Sequence, residues 1–446
     1  MSRLAVRIAA LLAASALLVA APIVAEDARV EVVPIDGGRL VKAVVPGVLL
    51  DSDGLLLLTA ESKDGPRKLW RLDVEHATIE PLPASLPPKT DAIATAGDEL
   101  FLGERGRLYR LAASGAELIV ESRYLDFGQL AAGGFLEPGR VTVPELGTLT
   151  TYVSGDSGRW SAAAVHDLPV RAAREPTGLR LASLPVTRLD ADGRTLYAVG
   201  PEAHGDRRLR TVLIEAEDAA TREAWSWLPS PERVVGSRYA WVNGRAVLIV
   251  TTVSSERLGI FAKQDLRVFS LKTGDRSRTG LSPALKAQTA SYHWHGVEPE
   301  IVDADGDGLA DLVVIQPDGL GGKKLTVEAY LGRGGAQFHP QPMRTEVPAK
   351  FPDRWRYGAD VDGDGVADLV TFSRPDVQVF RGIADPKKKK MLDKKAHLQL
   401  SLALAEDTPW KVREIAVRDV DGDGRAEILV RASGEGFGVL WVVEAR

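Results

Sequence analysis

Short apolar runs, separated by turns rich in glycine and aspartate, recur along almost the whole chain. Residues 55–58, 246–252 and 312–315 are examples, and they consist mainly of leucine and β-branched side chains. Short runs of this composition between turn signals predict buried strands and not helices. Asn-Gly and Asp-Gly pairs, such as residues 243–244, suit the tight turns that join antiparallel strands. The pattern therefore predicts an all-β protein.

A nine-residue acidic pattern occurs three times in the C-terminal third, as DADGDGLAD at residues 303–311, DVDGDGVAD at 360–368 and DVDGDGRAE at 419–427. It places carboxylates at positions 1, 3, 5 and 9. Ca²⁺ takes six to eight oxygen ligands at roughly 2.3 to 2.6 Å. Glycine at position 6 accepts the positive φ that a sharp turn around one centre requires. The pattern predicts three calcium loops, and so about three structural calcium ions.

The predicted ligands fall on equivalent positions of the three loops. The side-chain ligands are Asp303, Asp305, Asp307 and Asp311, then Asp360, Asp362, Asp364 and Asp368, then Asp419, Asp421, Asp423 and Glu427. By analogy with other aspartate-rich loops, position 7 supplies a backbone carbonyl, here from Leu309, Val366 and Arg425. Glu427 replaces the aspartate of the other two loops, so the third site departs from the pattern.

The same opening also begins an EF-hand, and the following residues separate the two possibilities. An EF-hand requires a bidentate glutamate at position 12 and then an amphipathic helix. Position 12 is instead Val314, Thr371 or Val430, inside a short apolar run. Each acidic loop is therefore predicted to join two strands.

The loops start 57 and 59 residues apart, at 303, 360 and 419, which indicates a repeated structural unit. Weaker turn signals at residues 51–54, 126–128, 190–193 and 243–244 extend the period backwards and are interpreted as hairpin turns. The count predicts a β-propeller of about seven four-stranded blades with calcium loops in the last three. Strands near residues 29–33 and 39–45 would close the ring. The alternative is two domains, an irregular β domain to about residue 285 and a smaller calcium-loaded one.

The acidic pattern, followed by a strand and by the Y-L-G-x-G-x-x-x-F segment at residues 330–338, resembles the FG-GAP/VCBS repeat of integrin-alpha-like β-propellers. The resemblance covers roughly residues 290–446. It implies that each calcium loop joins two strands of one blade. It also implies that the acidic residues at positions 1, 3, 5 and 9 bind the ion.

The N-terminal residues predict the cellular location of the protein. Arg3 and Arg7 precede an apolar stretch at 8–19 and small residues ending at Ala25, which is typical of a secretory signal peptide. We expect cleavage there, a single propeller domain at 26–446, and a secreted or periplasmic location. No later segment is long and apolar enough for a transmembrane span. The chain has no cysteine, so disulfides cannot stabilise it.

The net charge of the chain indicates which classes of partner it could bind. The chain has a formal charge of −5, and loss of residues 1–25, with their two arginines, changes it to −7. General nucleic-acid binding needs a basic face, so this balance argues against it. The resemblance implies a binding, adhesion or scaffold module for an extracellular or envelope protein or glycan. His293-Trp294-His295 and the basic run at 387–390 are candidate contacts.

An enzyme is the alternative function, namely a polysaccharide lyase or hydrolase with its site at the propeller channel. Outside the calcium loops the sequence shows no catalytic constellation, and a carboxylate pair across blades cannot be recognised from sequence. No catalytic residue is therefore predicted.

Overall fold

The structure is a computed structural model that describes the following parts of the chain. These are residues 28–34, 40–46, 55–62, 64–73, 78–155, 158–175, 178–191, 193–204, 208–216, 220–228, 232–254, 263–271, 285–292, 298–317, 324–349, 352, 354–373, 375–383, 390–402, 410–420, 422–434 and 437–445.

Eight four-stranded antiparallel sheets within these residues form the blades of a β-propeller. The chain begins with β1 (Ala28–Pro34). Blade 1 contains β2 (Leu40–Pro46), β3 (Leu55–Ala60), β4 (Arg67–Asp73) and β5 (Thr78–Leu82). Blade 2 contains β6 (Ala92–Ala96), β7 (Glu99–Glu104), β8 (Arg107–Ala112) and β9 (Gly115–Glu121), followed by the short helix α1 (Phe127–Ala132). Blade 3 contains β10 (Leu136–Glu137), β11 (Arg140–Glu145), β12 (Thr148–Ser154) and β13 (Trp160–Asp167).

A separate two-stranded hairpin, β14 (Val170–Glu175) and β15 (Gly178–Ser183), follows blade 3. Blade 4 contains β16 (Val186–Ala191), β17 (Arg194–His204), β18 (Arg208–Glu215) and β19 (Thr221–Trp227). Blade 5 contains β20 (Glu232–Val242), β21 (Arg245–Ser254), β22 (Lys263–Ser270) and β23 (Leu285–Tyr292). Blade 6 contains β24 (Glu298–Val302), β25 (Asp311–Pro317), β26 (Leu325–Tyr330) and β27 (Met343–Val347).

Blade 7 contains β28 (Arg354–Ala359), β29 (Asp368–Ser373), β30 (Asp376–Phe380) and β31 (Leu398–Ser401). Blade 8 contains β32 (Trp410–Arg418), β33 (Glu427–Gly434) and β34 (Phe437–Ala445), and its fourth strand is β1. β1 pairs antiparallel with β34 over its whole length, from Ala28 opposite Ala445 to Pro34 opposite Val439. The N-terminal strand therefore closes the ring, whereas the second predicted N-terminal strand, β2, begins blade 1.

Packing between neighbouring blades explains why the strand sequences are continuously apolar. Successive side chains of a strand point to opposite faces of its sheet. In β25, Leu312 and Val314 belong to the apolar cluster shared with blade 5, whereas Val313 and Ile315 belong to the cluster shared with blade 7. Every residue of β25 is accordingly buried. Since both faces of the sheet are covered, the inner strands show no polar alternation.

The prediction of seven blades is wrong by one. The missed blade lies in the long step between the predicted anchors at 51 and 126. The first hairpin turns of blades 2 and 3 are residues 97–98 and 138–139, which are Gly-Asp and Pro-Gly and lack the expected Asp-Gly or Asn-Gly signal. Asp126 begins α1 instead of a hairpin, and its side chain accepts a hydrogen bond from Gln129 N–H at 3.2 Å.

The other weak turns join the first two strands of their blades. Asn243 and Gly244 form the turn between β20 and β21 with φ values of 45° and 78°, as a tight hairpin turn with two positive φ values requires. Gly193 lies between β16 and β17 with φ 73°. Asp192, residues 51–54 and the predicted signal peptide lie outside the described residues. In the described part of the chain, no helix has the length and apolar character needed to cross a membrane.

Candidate metal centres

The three acidic loops occupy the same place in three consecutive blades. Residues 303–310, 360–367 and 419–426 each lie between the first and second strands of blades 6, 7 and 8. The residues that follow enter β25, β29 and β33, which are strands. The prediction that each loop joins two strands is confirmed.

The first aspartate of each loop holds the turn by binding its backbone. In blade 6, Asp303 Oδ1 accepts a hydrogen bond from Gly306 N–H and Oδ2 accepts one from Gly308 N–H, both at 2.8 Å. Gly306 and Gly308 have φ values of 78° and 83°, which only glycine adopts without steric cost. Asp360 and Asp419 repeat this pattern in blades 7 and 8. The sequence analysis missed the position-4 glycine, although the repeated D-G-D-G was its signal.

The acidic residue at position 9 connects its loop to another part of the blade. The side chain of Asp311 is fully buried. Its Oδ2 accepts a hydrogen bond from Ala304 N–H at 2.9 Å, and its Oδ1 accepts one from Gly332 N–H at 2.6 Å. A Cβ at Gly332 would lie 2.6 Å from the carbonyl oxygen of Ala310, so this close approach requires glycine. Sequence reasoning missed this role of the Y-L-G segment.

Blade 7 repeats this arrangement and blade 8 retains part of it. Asp368 accepts hydrogen bonds from Val361 N–H at 2.9 Å and Gly382 N–H at 2.7 Å. In blade 8, Glu427 Oε2 accepts a hydrogen bond from Val420 N–H at 2.7 Å, which corresponds to the bond at Ala304. The longer glutamate side chain therefore still reaches the start of its own loop.

Carboxylates at positions 1, 3 and 9 converge in two of the loops. Each cluster offers ligand oxygens that all lie within 4.8 Å of one another: Asp303, Asp305 and Asp311 in blade 6, and Asp360, Asp362 and Asp368 in blade 7. Each of these clusters could hold a metal ion. The structure does not bring position 5 into either cluster. Asp307 and Asp364 accept hydrogen bonds from the position-7 N–H groups of Leu309 and Val366 at 2.8 and 2.9 Å. The carbonyl role of position 7 stays a prediction.

The donor set fits a hard cation. All three groups of each cluster are carboxylates, which suit Ca²⁺ and Mg²⁺. Asp362 Oδ2 is buried and accepts no aligned hydrogen bond from any described residue, although Arg381 Nε lies 2.8 Å away. A buried carboxylate oxygen without an aligned donor is costly, and a cation would satisfy it.

Two arginines distinguish the blade 7 loop from the blade 6 loop. Arg381 Nε lies 2.8 Å from Asp362 Oδ2 and 3.0 Å from Asp364 Oδ2. Arg425, from blade 8, packs on the same loop, because a Cβ at Gly363 would lie 2.7 Å from its Nε. The residue corresponding to Arg381 in blade 6 is Leu331, which likewise follows the third strand. The blade 7 loop thus has one arginine against two of its carboxylates and a second arginine against Gly363.

Burial and crowding disfavour the charged carboxylates. Burial raises the pKa of both Asp311 and Asp368 to about 6, against the opposing effect of the N–H groups that bind them. Burial and then the neighbouring Asp307 raise the pKa of Asp305. In blade 7, burial and then Asp364 raise the pKa of Asp362. A cation in either cluster would offset this cost by favouring the ionised form.

Three of the predicted features lie at least partly outside the described residues. Asp421, the position-3 residue of blade 8, is one of them. The others are the His-Trp-His segment, within residues 293–297, and most of the basic run, within residues 384–389. Asp423 Oδ1 accepts a hydrogen bond from Arg425 N–H at 2.8 Å, as position 5 does in the other loops.

The fold and the loops define an all-β propeller with acidic turns in consecutive blades. The family described as the FG-GAP-like repeat matches residues 303–371, and the FG-GAP repeat matches residues 412–443. These two segments are FG-GAP repeats, and the resemblance found in the sequence is confirmed.

Comparison with curated proteins gave no match. Among solved structures, the WD40 domain of SCAP from fission yeast is 11% identical, with a TM-score of 0.48, over 95% of this chain and 98% of that chain. Hsv2 from Kluyvelomyces marxianus is 11% identical, with a TM-score of 0.40, over 82% of this chain and 99% of that chain. Similarities at this level carry no functional conclusion.

Proposed function

We propose that this protein is a secreted or periplasmic calcium-binding propeller that acts as a binding or scaffold module for protein or carbohydrate partners. The observation that carries the proposal is the convergence of three carboxylates in each of two equivalent loops. FG-GAP repeats commonly bind calcium, and the propeller fold offers surface loops for recognition. The blade 8 loop, with Asp419, Asp421, Asp423 and Glu427, is the third site of the proposal.

The proposed role of calcium is structural. Each loop joins the first two strands of a blade, and its position-9 carboxylate binds backbone N–H groups at two separate places in blades 6 and 7. Without a cation, like charges repel within one turn. A bound ion would hold the loop, the strand after it and the segment after the third strand together. An ion that binds only the folded state raises the stability of the protein by mass action. Affinities of roughly 10⁻⁴ to 10⁻³ M are typical of extracellular modules.

The proposed location rests on residues 1–25, which have the pattern of a cleaved signal peptide. An extracellular or periplasmic compartment supplies millimolar calcium more readily than a cytoplasm. Residues 26–446 would then fold as one propeller domain.

The test is thermal unfolding of residues 26–446 in millimolar Ca²⁺ and after removal of calcium, together with a count of bound ions. We expect about three ions and a melting temperature that rises with calcium. Asp305→Asn and Asp362→Asn should each lower the ion count by one and reduce the rise. Asp98→Asn is the matched control, because Asp98 lies in the first hairpin turn of blade 2, is exposed and belongs to no acidic cluster.

The proposal is wrong if calcium leaves the melting temperature of the wild-type protein unchanged, or if both loop variants keep the full rise. Equal effects of Asp98→Asn and the loop variants would show general surface-charge screening instead of specific sites.

A further inference from the structure

A cleft of about 480 Å³ opens between blades 4 and 5. It lies where β17 and β21 begin and β18 and β20 end, so it shares the end of the propeller that carries the acidic loops. Its volume falls within the roughly 300 to 1,000 Å³ of small-molecule sites. The side chains of Leu196, Leu213 and Ala246, in the apolar core between the two blades, form its floor.

Strand alternation identifies the side chains that face the cleft from blade 4. Ala198, Leu213 and Ala224 belong to the apolar cluster shared with blade 5. Side chains two residues away on the same strand share a face. Glu215 and Arg222 therefore face blade 5 from β18 and β19, and Arg194, four residues before Ala198, faces it from β17.

The opposite wall carries an aromatic residue. Trp241 lies one residue before the end of β20. It packs against the same cluster as Tyr239 and lines the cleft while half-buried. Arg245 also borders the cleft, but its side chain runs to blade 6, where its Cγ lies 4.0 Å from the place of a Cβ on Gly335. The cleft thus has arginines on one wall and an indole on the other.

The charges of this wall are partly compensated. Arg222 Nη2 lies 3.0 Å from Glu215 Oε1. Arg194 is exposed and has no ion pair with any residue that the structure describes. Together, the side chains of Arg194, Arg222 and Glu215 carry a net charge of +1. A singly charged anion fits this balance better than a phosphate dianion, which Glu215 would repel.

We propose that the cleft between blades 4 and 5 binds an acidic saccharide, with the carboxylate of a uronic acid on Arg194 and the sugar ring against Trp241. The guanidinium of arginine matches a carboxylate in a bidentate geometry. The indole covers the apolar face of a sugar ring, and the Arg222–Glu215 pair supplies a donor and an acceptor for ring hydroxyls. The inference rests on the proposed role as a binding module and names its ligand class.

The experiment is isothermal titration of residues 26–446 with trimers of β-1,4-mannuronate and α-1,4-galacturonate, each paired with its neutral trimer. We expect saturable binding of at least one acidic trimer and at least tenfold weaker binding of its neutral counterpart. Arg194→Ala and Trp241→Ala should each weaken binding at least tenfold. Arg105→Ala should leave it unchanged, because Arg105 is an exposed arginine in the turn between β7 and β8 of blade 2, outside the cleft. Titrations are repeated in calcium and in EGTA.

The inference is overturned if neither acidic trimer binds better than its neutral counterpart, or if Arg194→Ala and Trp241→Ala bind as well as wild type. Binding of inorganic phosphate in preference to both acidic trimers would also overturn it. The calcium proposal is judged separately. If calcium does not change the melting temperature but the trimer still binds in EGTA, the calcium proposal is rejected and the proposed binding site in the cleft is retained. Thermal unfolding of each variant confirms that it is folded.

Discussion

Arg381→Leu should strengthen calcium binding at the blade 7 loop. The substitution places in blade 7 the residue type found at the corresponding Leu331 of blade 6. Arg381 Nε is 2.8 Å from Asp362 Oδ2 and 3.0 Å from Asp364 Oδ2. Its single positive charge therefore compensates part of the negative charge of these two carboxylates before a cation binds. Its removal leaves them uncompensated in the metal-free protein and ends its repulsion of the bound ion.

The magnitude follows from the geometry. The 2.8 Å contact and a Ca–O bond of about 2.4 Å place the guanidinium about 5 Å from the ion. At the dielectric constant of water, a single charge and a divalent cation at about 5 Å repel by about 1.7 kcal/mol. The Arg381 side chain is 42% exposed, so screening by salt reduces this to about 1 kcal/mol. That corresponds to a roughly fivefold lower Kd.

The assay is calcium titration by calorimetry in the background Asp305→Asn and Asp421→Asn, which leaves only the blade 7 site. Arg425 remains against Gly363 in both proteins, so the comparison isolates Arg381. The difference should shrink as ionic strength rises. The reciprocal change Leu331→Arg, in the background Asp362→Asn and Asp421→Asn, should weaken the blade 6 site. Equal or weaker binding in Arg381→Leu would falsify the reasoning.

The remaining predictions concern pH and an inter-blade contact. Because the folded pKa of Asp311 is about 6 and an unfolded aspartate has a pKa of about 3.9, the calcium-free protein should gain on the order of 2 kcal/mol from this group as pH falls from 7 to about 4. Melting of metal-free wild type and Asp311→Asn at several pH values checks this, and equal pH dependence in both would contradict it. Asn243→Ala should cost about 2 to 3 kcal/mol of unfolding free energy in a denaturant titration. It removes the hydrogen bonds of the Asn243 side chain with the backbone of Ala310 in blade 6, and it places alanine at a φ of 45°. Asn243→Gly, which tolerates that φ, should cost less, and an equal cost would assign the whole loss to the hydrogen bonds.

The acidic loops could be predicted from sequence because their geometry is local. The position-1 carboxylate and the glycines that it binds lie within six consecutive residues, as in Asp303 to Gly308. The strands beside them follow from apolar runs that are buried on both faces, as in β25. Positions 1, 3 and 9 lie close together in blades 6 and 7, and calcium binding by these residues stays a prediction. The position of the position-5 side chains outside these clusters is not encoded in the spacing.

The blade count and the arginine contacts could not be predicted, because each depends on which segments meet in space. Residues 97–98 make a hairpin turn without the dipeptide that marked the other turns. Arg381 lies 17 residues from Asp364, and Arg425 reaches a loop in the preceding blade. Only the register of the strands brings such residues together. The same holds for Arg194 and Trp241, which face each other because of strand alternation in two different blades.

Contacts between consecutive loops suggest how a cation in one blade would affect its neighbour. Asn243 Oδ1 accepts a hydrogen bond from Ala310 N–H at 2.7 Å, so the blade 5 turn is held by the blade 6 loop. The carbonyl of Asp360 likewise accepts one from Ala426 N–H at 2.7 Å, which joins the loops of blades 7 and 8. An ion that orders one loop would therefore also hold in place the N–H group to which the preceding blade is hydrogen-bonded. In a ring closed by one β1–β34 pairing, such links would spread the stabilisation beyond the blade that binds the ion.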